Sequence, residues 1–227
     1  MDDIADDTAD YAYDAVILAG GAARRLDGVD KPGLLVGGVT LLDRVLAACG
    51  DARVTVVVGP ERPTVRPVRW TREEPPGGGP AAALAAGLGL VTAEVVLLLA
   101  ADLPFLDPAA VHHLLDTLRN EPNIEAATLV DVEGRDQLLT AAYRTAPLRA
   151  ALARVGPPDG ARLRAVTGGL ATRHLTDPRG VSVDCDTWED VRLARARAAD
   201  RPLPPHHAHP AEPAHGADGP HDPPAGR

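Results

Sequence analysis

"DAVILAGGAARRLDGVDKPGLL", residues 14–35, runs an apolar segment into paired glycines, then two arginines, and reaches Lys31, the single lysine in a chain with 22 arginines. Ala15 to Ala19 predict a buried strand that stops at Gly20. Gly20 and Gly21 carry no Cβ to hold a phosphate away, and N–H groups of such a loop can point at an anion. Arg24, Arg25 and Lys31 add positive charge to the same loop. The pattern is not a Walker A loop, because Lys31 follows Asp30 and precedes Pro32. It is not a dinucleotide fingerprint either, since Gly-x-Gly-x-x-Gly is absent. An ammonium is compact, with three donors on a flexible stem, and fits between phosphate oxygens where a planar guanidinium fork does not. A lone lysine among arginines is therefore read as a phosphate holder.

Beyond this loop, strand and helix patterns alternate. "TLLDRVLAAC" (40–49) puts Leu41, Leu42, Val45, Leu46 and Cys49 on one helical face, with Thr40 as the N-cap. "RVTVVVG" (53–59) reads as a buried strand and "GPAAALAAGLGLV" (79–91) as a helix weakened by its glycines. "AEVVLLLAADLP" (93–104) is the clearest buried strand, after which Asp107 caps a helix opened by Pro108. "EAATLVDVEGRDQLLTAAYR" (125–144) reads as two strands about a turn, and helices are expected near 145–155 and 187–199. The expected fold class is α/β, a Rossmann-like three-layer α/β/α arrangement with a mainly parallel sheet and a late β-hairpin. In such sheets ligands sit beyond the carboxyl ends of the strands.

The 227 residues are 45% hydrophobic but only 3% aromatic, so the core must be built from Val, Leu, Ile and Ala. The formal charge is −9, yet six aspartates and no basic residue stand in the first fourteen positions, leaving about −3 on the remainder. That excludes a general nucleic-acid or anionic-membrane binder. Two cysteines are too few for a disulfide framework or a structural zinc site. Residues 1–13 and 201–227 are too poor in large apolar side chains to offset ordering entropy, so both are expected to be disordered and residues 14–200 to form the folded domain. Five of the eight histidines lie in that Pro/His-rich tail. No signal peptide or membrane span is read, and a cytoplasmic protein is expected.

"LAGGAARRLDGVDK" resembles the signature of the molybdenum cofactor guanylyltransferases, which belong to the nucleotidyltransferase superfamily. "GPAAAL", "AADLPF", "GRDQLLTAAYR" and "VDCDTWEDV" continue the resemblance in order, so that it spans about residues 14–195. It implies a nucleotidyltransferase fold and transfer of GMP from GTP to the phosphate of molybdenum-loaded molybdopterin, with release of pyrophosphate. It implies Mg²⁺ as cofactor, GTP and a molybdopterin-type acceptor as ligands, and molybdoenzyme maturation proteins as partners. Leu18, Ala19 and Gly20 are assigned to base and ribose, and Gly21, Arg25 and Lys31 to the triphosphate. Gly59, Glu73 (or its neighbour Glu74) and Gly79 also fall to the nucleotide, with Glu73 or Glu74 where the family has an Asp that reads guanine. Asp102 and Asp186 would hold the metal, with Asp184 beside them. Arg25, Lys31 and Asp102 are the implied catalytic residues, and Arg135, Asp136 and Gln137 the acceptor-side candidates.

Each of these residues also has a plainer reading. Asp102 would cap the turn after its strand, Asp186 and Thr187 would cap the last helix, and residues 135–137 would form a solvent-facing turn. The sequence also departs from the family at Leu26, Asp27, Ala82, Ala83 and Trp188. Cytidylyl or other nucleotidyl transfer, a metal-dependent nucleotide-sugar glycosyltransferase, and a nucleotide-binding regulatory homologue stand as alternatives. A haloacid dehalogenase reading of "VSVDCDTW" leaves no room for that family's later motifs, and no Gly-x-Ser-x-Gly elbow is present.

Overall fold

The computed structural model describes residues 12–20 and 28–199. Its seven-stranded sheet is assembled from β1 (Tyr13–Leu18), β4 (Val54–Val58), β5 (Arg69–Thr71), β6 (Val95–Ala100), β7 (Ala126–Val130), β8 (Asp136–Arg144) and β9 (Thr172–Thr176), in the order β5-β4-β1-β6-β8-β7-β9. β2 (Leu35–Val36) and β3 (Val39–Thr40) form a separate small antiparallel pair. β8 runs antiparallel to both β6 and β7, while β5, β4, β1 and β6 are mutually parallel and β9 is parallel to β7. The expected mainly parallel sheet with a late hairpin is what forms.

Alternation along the strands divides the core between two faces. Ala15, Ile17, Leu97 and Leu99 pack with α1 (Leu41–Ala48) and α3 (Pro108–Asn120). Val16, Val96 and Leu98 pack on the other side, with α2 (Gly79–Leu88), α4 (Thr145–Val155) and α5 (Leu163–Thr167). The last helix, α6 (Trp188–Ala199), contributes Val191, Ala194 and Ala198 to a third cluster with Val36, Leu41 and Cys185. Thr40 caps α1 by accepting the Asp43 N–H at 3.0 Å, and Asp107 caps α3 by accepting that of Ala110 at 2.8 Å. Buried Asp14 accepts the N–H groups of Thr92 and Ala93 at 2.7 and 2.9 Å, tying the entry of β6 to β1. Among the described residues no helix is long and apolar enough to cross a membrane.

The sequence reading needs three corrections here. The folded region begins at Tyr13, inside the segment expected to be disordered, because that ring is buried and its hydroxyl bonds to Asp51 at 2.5 Å. The expected tail from Arg201 lies outside the described residues. α2 ends at Leu88 rather than Val91, with Gly89 as its C-cap. The small β2–β3 pair, β5, α5 and β9 were not read from the pattern: β2 and β3 have two residues each, β5 three and α5 five, and "TRHLT" in β9 is a polar edge strand.

Gly87 explains one of the glycines that weakened the α2 reading. A Cβ there would lie 2.5 Å from Val16 Cγ1 and 3.1 Å from Val58 Cγ2, so the helix approaches the sheet more closely than alanine allows. Gly87→Ala is expected to destabilise the fold by about 1–2 kcal/mol in urea unfolding, since the overpacking cost outweighs the gain of about 1 kcal/mol in helix propensity.

Candidate active site

The carboxyl edge of the sheet is where the chemistry-bearing residues meet. β1 ends at Leu18, whose carbonyl accepts the Ala101 N–H at 3.1 Å, so the glycine-loop entrance and the segment carrying Asp102 leave the sheet side by side. Ala19 donates to Val58 O at 2.8 Å, and Gly59 donates to Thr71 O at 2.9 Å. Gly59 adopts φ +151°, and a Cβ on it would lie 2.7 Å from the Ala19 carbonyl carbon and oxygen. Only glycine lets the exit of β4 press so closely on the exit of β1. Glu73 lies on the same side: a Cβ built on Gly20 would be 4.0 Å from its Oε1, and that oxygen accepts the Gly77 N–H at 3.1 Å. Gly79 opens α2 two residues later with φ +86°. Leu18, Ala19, Gly20, Gly59 and Glu73 are thus neighbours, whereas Glu74 is exposed. Gly21, Arg24, Arg25, Leu26 and Asp27 lie outside the described residues.

Lys31 opens a single turn of 3₁₀ helix, Lys31–Gly33, made possible by Pro32. Its ammonium forms an ion pair with Asp102 and a second one, at 2.6 Å, with Asp186 Oδ1. The Lys31 and Asp102 side chains are only 17% and 14% exposed, while Asp186 is 49% exposed. Burial pushes the lysine pKa down, but the two carboxylates, Asp102 above all, more than offset this and hold it above the ordinary lysine value. Arg62, which the sequence reading missed, sits with its Nη1 2.9 Å from Asp30 Oδ1 and so braces the residue before Lys31. A single arginine in a proline-rich loop carries no sequence signal for that role.

Asp186 and Asp184 arrive on the segment between β9 and α6. Asp177 organises its start, accepting the N–H groups of Val181 and Ser182 and the Ser182 hydroxyl within 2.7–3.0 Å. Cys185 is buried with Val36, Leu41 and Val191, anchoring the two flanking aspartates at the surface. Thr187 caps α6: its Oγ1 accepts the Asp190 N–H at 3.2 Å while the Asp190 carboxylate accepts the Thr187 N–H at 2.7 Å. The capping reading therefore holds for Thr187, while the Asp186 carboxylate pairs with Lys31. Partial loss of solvent around the Asp184 carboxylate, together with the charges of Asp102 and Asp186, raises its pKa, with Lys31 opposing the shift. Cys185 is pushed up to about 12, chiefly by burial, in keeping with a packing role rather than that of a nucleophile.

Oxygens of Asp102, Asp184 and Asp186 lie within 4.8 Å of one another. Three hard oxygen donors around a point already approached by an ammonium suit a divalent cation of the Mg²⁺ kind. Of the hairpin candidates, Arg135 pairs with Asp131 and Glu133, and Gln137 donates to Asp131 at 2.8 Å, so both serve the turn itself. Asp136 instead faces Arg164 and His174, at 3.3 and 2.9 Å.

Residues 15–174 match the family described as MobA-like NTP transferase domain. The chain is 35% identical over 197 residues to a probable molybdenum cofactor guanylyltransferase of Synechococcus elongatus, covering 80% of this chain and 99% of the relative. It is 30% identical over 205 residues to a protein of the same description from Natronomonas pharaonis, covering 80% and 96%. The crystal structure of molybdopterin-guanine dinucleotide biosynthesis protein A from Archaeoglobus fulgidus superposes with a TM-score of 0.66 at 19% identity, covering 82% of this chain and 99% of that one. By the family match and by relatives at least 30% identical over four fifths of its length, the chain belongs to the MobA-like NTP transferase family and is a nucleotidyltransferase.

Proposed function

We propose that this protein is a Mg²⁺-dependent guanylyltransferase that moves GMP from GTP to the terminal phosphate of molybdenum-loaded molybdopterin, with release of pyrophosphate. The observation that carries the reading is the contact of Lys31 with both Asp102 and Asp186, beside Asp184. The relatives' names supply the acceptor and the base.

The chemistry asks for alignment and charge neutralisation rather than a base. An ionised phosphate is already a nucleophile, and the attack on the α-phosphorus expels a pyrophosphate that is stable as an anion. Leu18, Ala19 and Gly20 would seat base and ribose. Glu73 would accept the N–H groups of the guanine edge, the one base edge here that offers two adjacent donors to a carboxylate. Gly21, Arg25 and Lys31 would hold the triphosphate, Lys31 leaving its carboxylate partners as the phosphates enter. Asp102 and Asp186, with Asp184, would hold Mg²⁺, which would supply positive charge to offset that of the phosphates. A single catalytic domain over residues 14–200 would do this in the cytoplasm, where GTP is available, and Arg135, Asp136 and Gln137 would lie toward the acceptor.

The deciding experiment incubates the protein with Mg²⁺, molybdopterin-type acceptor and GTP, CTP or ATP in turn, and follows pyrophosphate and dinucleotide. GTP is expected to give both, at least tenfold faster than CTP. Preference for CTP would make it a cytidylyltransferase. Transfer of sugar from a nucleotide sugar, or nucleotide binding without pyrophosphate release, would overturn the proposal. Glu73→Gln is expected to narrow the GTP-to-CTP ratio at least tenfold, because the amide presents a donor where guanine needs an acceptor.

A further inference from the structure

Arg44 is buried in the first turn of α1, and its hydrogen bonds among the described residues all go to backbone carbonyls. Nε donates to Val36 O at 3.0 Å and Nη2 donates to the same oxygen, while Nη1 donates to Pro104 O at 3.2 Å. Burial pushes the pKa of this guanidinium down. A cation withdrawn from water onto neutral acceptors is a costly way to fill space that an aliphatic side chain would fill. What the guanidinium adds is a planar fork whose donors point in fixed directions.

Its two acceptors lie on the segments that carry Lys31 and Asp102. Leu34 donates to Lys31 O at 3.0 Å and Leu41 donates to Leu34 O at 3.0 Å, so the turn of Lys31 is bonded to the start of α1, with Val36 between them in the chain. Pro104 stands two residues beyond Asp102. Leu41, Val36 and Cys185 pack together, with Leu34 and Phe105 against them, which brings the chain around Asp184 and Asp186 to the same place. Arg197 of α6 covers Phe105, its guanidinium carbon 3.8 Å from the ring centroid. Gly37, at φ +58°, leaves the room this needs: a Cβ there would lie 2.9 Å from Arg44 Nη2 and 3.3 Å from Ala198 Cβ.

We propose that Arg44 is a positioning residue: by holding Val36 O and Pro104 O in one fork it fixes the separation of the Lys31 turn from the strand end that delivers Asp102, so that ammonium and carboxylate meet at a single point. Neither the main sheet nor the 3₁₀ turn sets that separation by itself, because Lys31 and Asp102 belong to different elements and 71 positions of chain lie between them. A displacement of about 1 Å at groups that must align on a reacting phosphate costs on the order of 10²-fold in rate. This assignment rests on the joint role of Lys31 and Asp102 proposed above, but the geometry it describes is readable without turnover.

The test uses the full chain labelled with [ε-¹³C]lysine, in which Lys31 gives the single lysine resonance, recorded without nucleotide or metal. Arg44→Met, which keeps an unbranched buried stem but no donors, is expected to shift that resonance toward the position of a solvent-exposed lysine. In turnover it is expected to lower kcat at least tenfold with KM for GTP changed less than threefold, since Leu18, Ala19, Gly20 and Glu73 make no bond to Arg44. Arg66→Met is the comparison. Arg66 donates to Leu46 O, Cys49 O and Thr55 Oγ1 near the other end of α1, so its loss is expected to lower the thermal midpoint while kcat stays within twofold and the lysine resonance stays in place. Should Arg44→Met fail to fold, Arg44→Gln, which retains a donor and adds no second lysine, carries the same expectations with a smaller loss. An unmoved lysine resonance in a folded Arg44 variant, an equal movement in Arg66→Met, or a loss confined to KM overturns the positioning role, and so does failure of both Arg44 variants to fold, which would assign Arg44 to stability alone. Absence of dinucleotide with the wild-type protein would instead overturn the guanylyl transfer, and the lysine resonance would still decide the role of Arg44.

Discussion

Asp102→Asn is expected to lower kcat/KM by about 10³-fold or more, equivalent to roughly 4 kcal/mol of lost transition-state stabilisation. The substitution is nearly isosteric, so the strand end that delivers the side chain is not disturbed. What changes is charge. Asp102 is the most buried of the three clustered carboxylates, and it is the first partner of Lys31. As an amide it presents a neutral oxygen to a cation site and leaves Asp184 and Asp186, both more exposed, as the remaining anionic donors. Two measurements separate this from a folding defect. The thermal midpoint should stay within a few degrees of wild type, because Lys31 retains Asp186 at 2.6 Å. Mn²⁺ binding, followed by electron paramagnetic resonance, should weaken at least tenfold. Turnover retained at a wild-type metal response would count against any role for Asp102 at the reacting phosphates.

Much of the path to this residue was legible before the structure. Seven apolar residues lead into Asp102, and Pro104 turns the chain away, so a buried strand had to deliver that carboxylate to the carboxyl edge. The caps at Thr40 and Asp107 were equally plain, because they depend on residues three apart. What stayed hidden depends on distance along the chain or on polarity. Asp186 was named beside Asp102 as a metal ligand only through the family resemblance, its own neighbours also reading as a cap, and only the fold brings it to a lysine 155 residues away. Glu73 and Glu74 were equivalent on the page, and their separation into one beside Gly20 and one exposed comes from a turn. β9 carries alternation too polar to mark it, since an edge strand buries little of either face.

Lys31 supports the sharpest prediction, because one substitution should move two observables in opposite directions. Lys31→Ala is expected to reduce kcat/KM with GTP by about 30- to 1,000-fold, the range of about 2–4 kcal/mol found when one preorganised donor to a developing charge is removed. The same ammonium contacts Asp102 and Asp186, within the carboxylate cluster suited to a divalent cation. Removing it takes a competing positive charge out of the carboxylate cluster, and Mn²⁺ affinity in the absence of nucleotide is expected to rise at least fivefold. A lysine that merely braced the fold would lower activity and metal affinity together, and a surface lysine would change neither. Lys31→Arg completes the argument. It preserves the charge, but the planar fork is larger than the space between two carboxylates that close on a single nitrogen, and it cannot insert between phosphate oxygens as a point charge. Arginine at position 31 should thus recover less than a tenth of wild-type kcat/KM, and full rescue would show that net charge alone, and not the compactness of the ammonium, is what the loop requires.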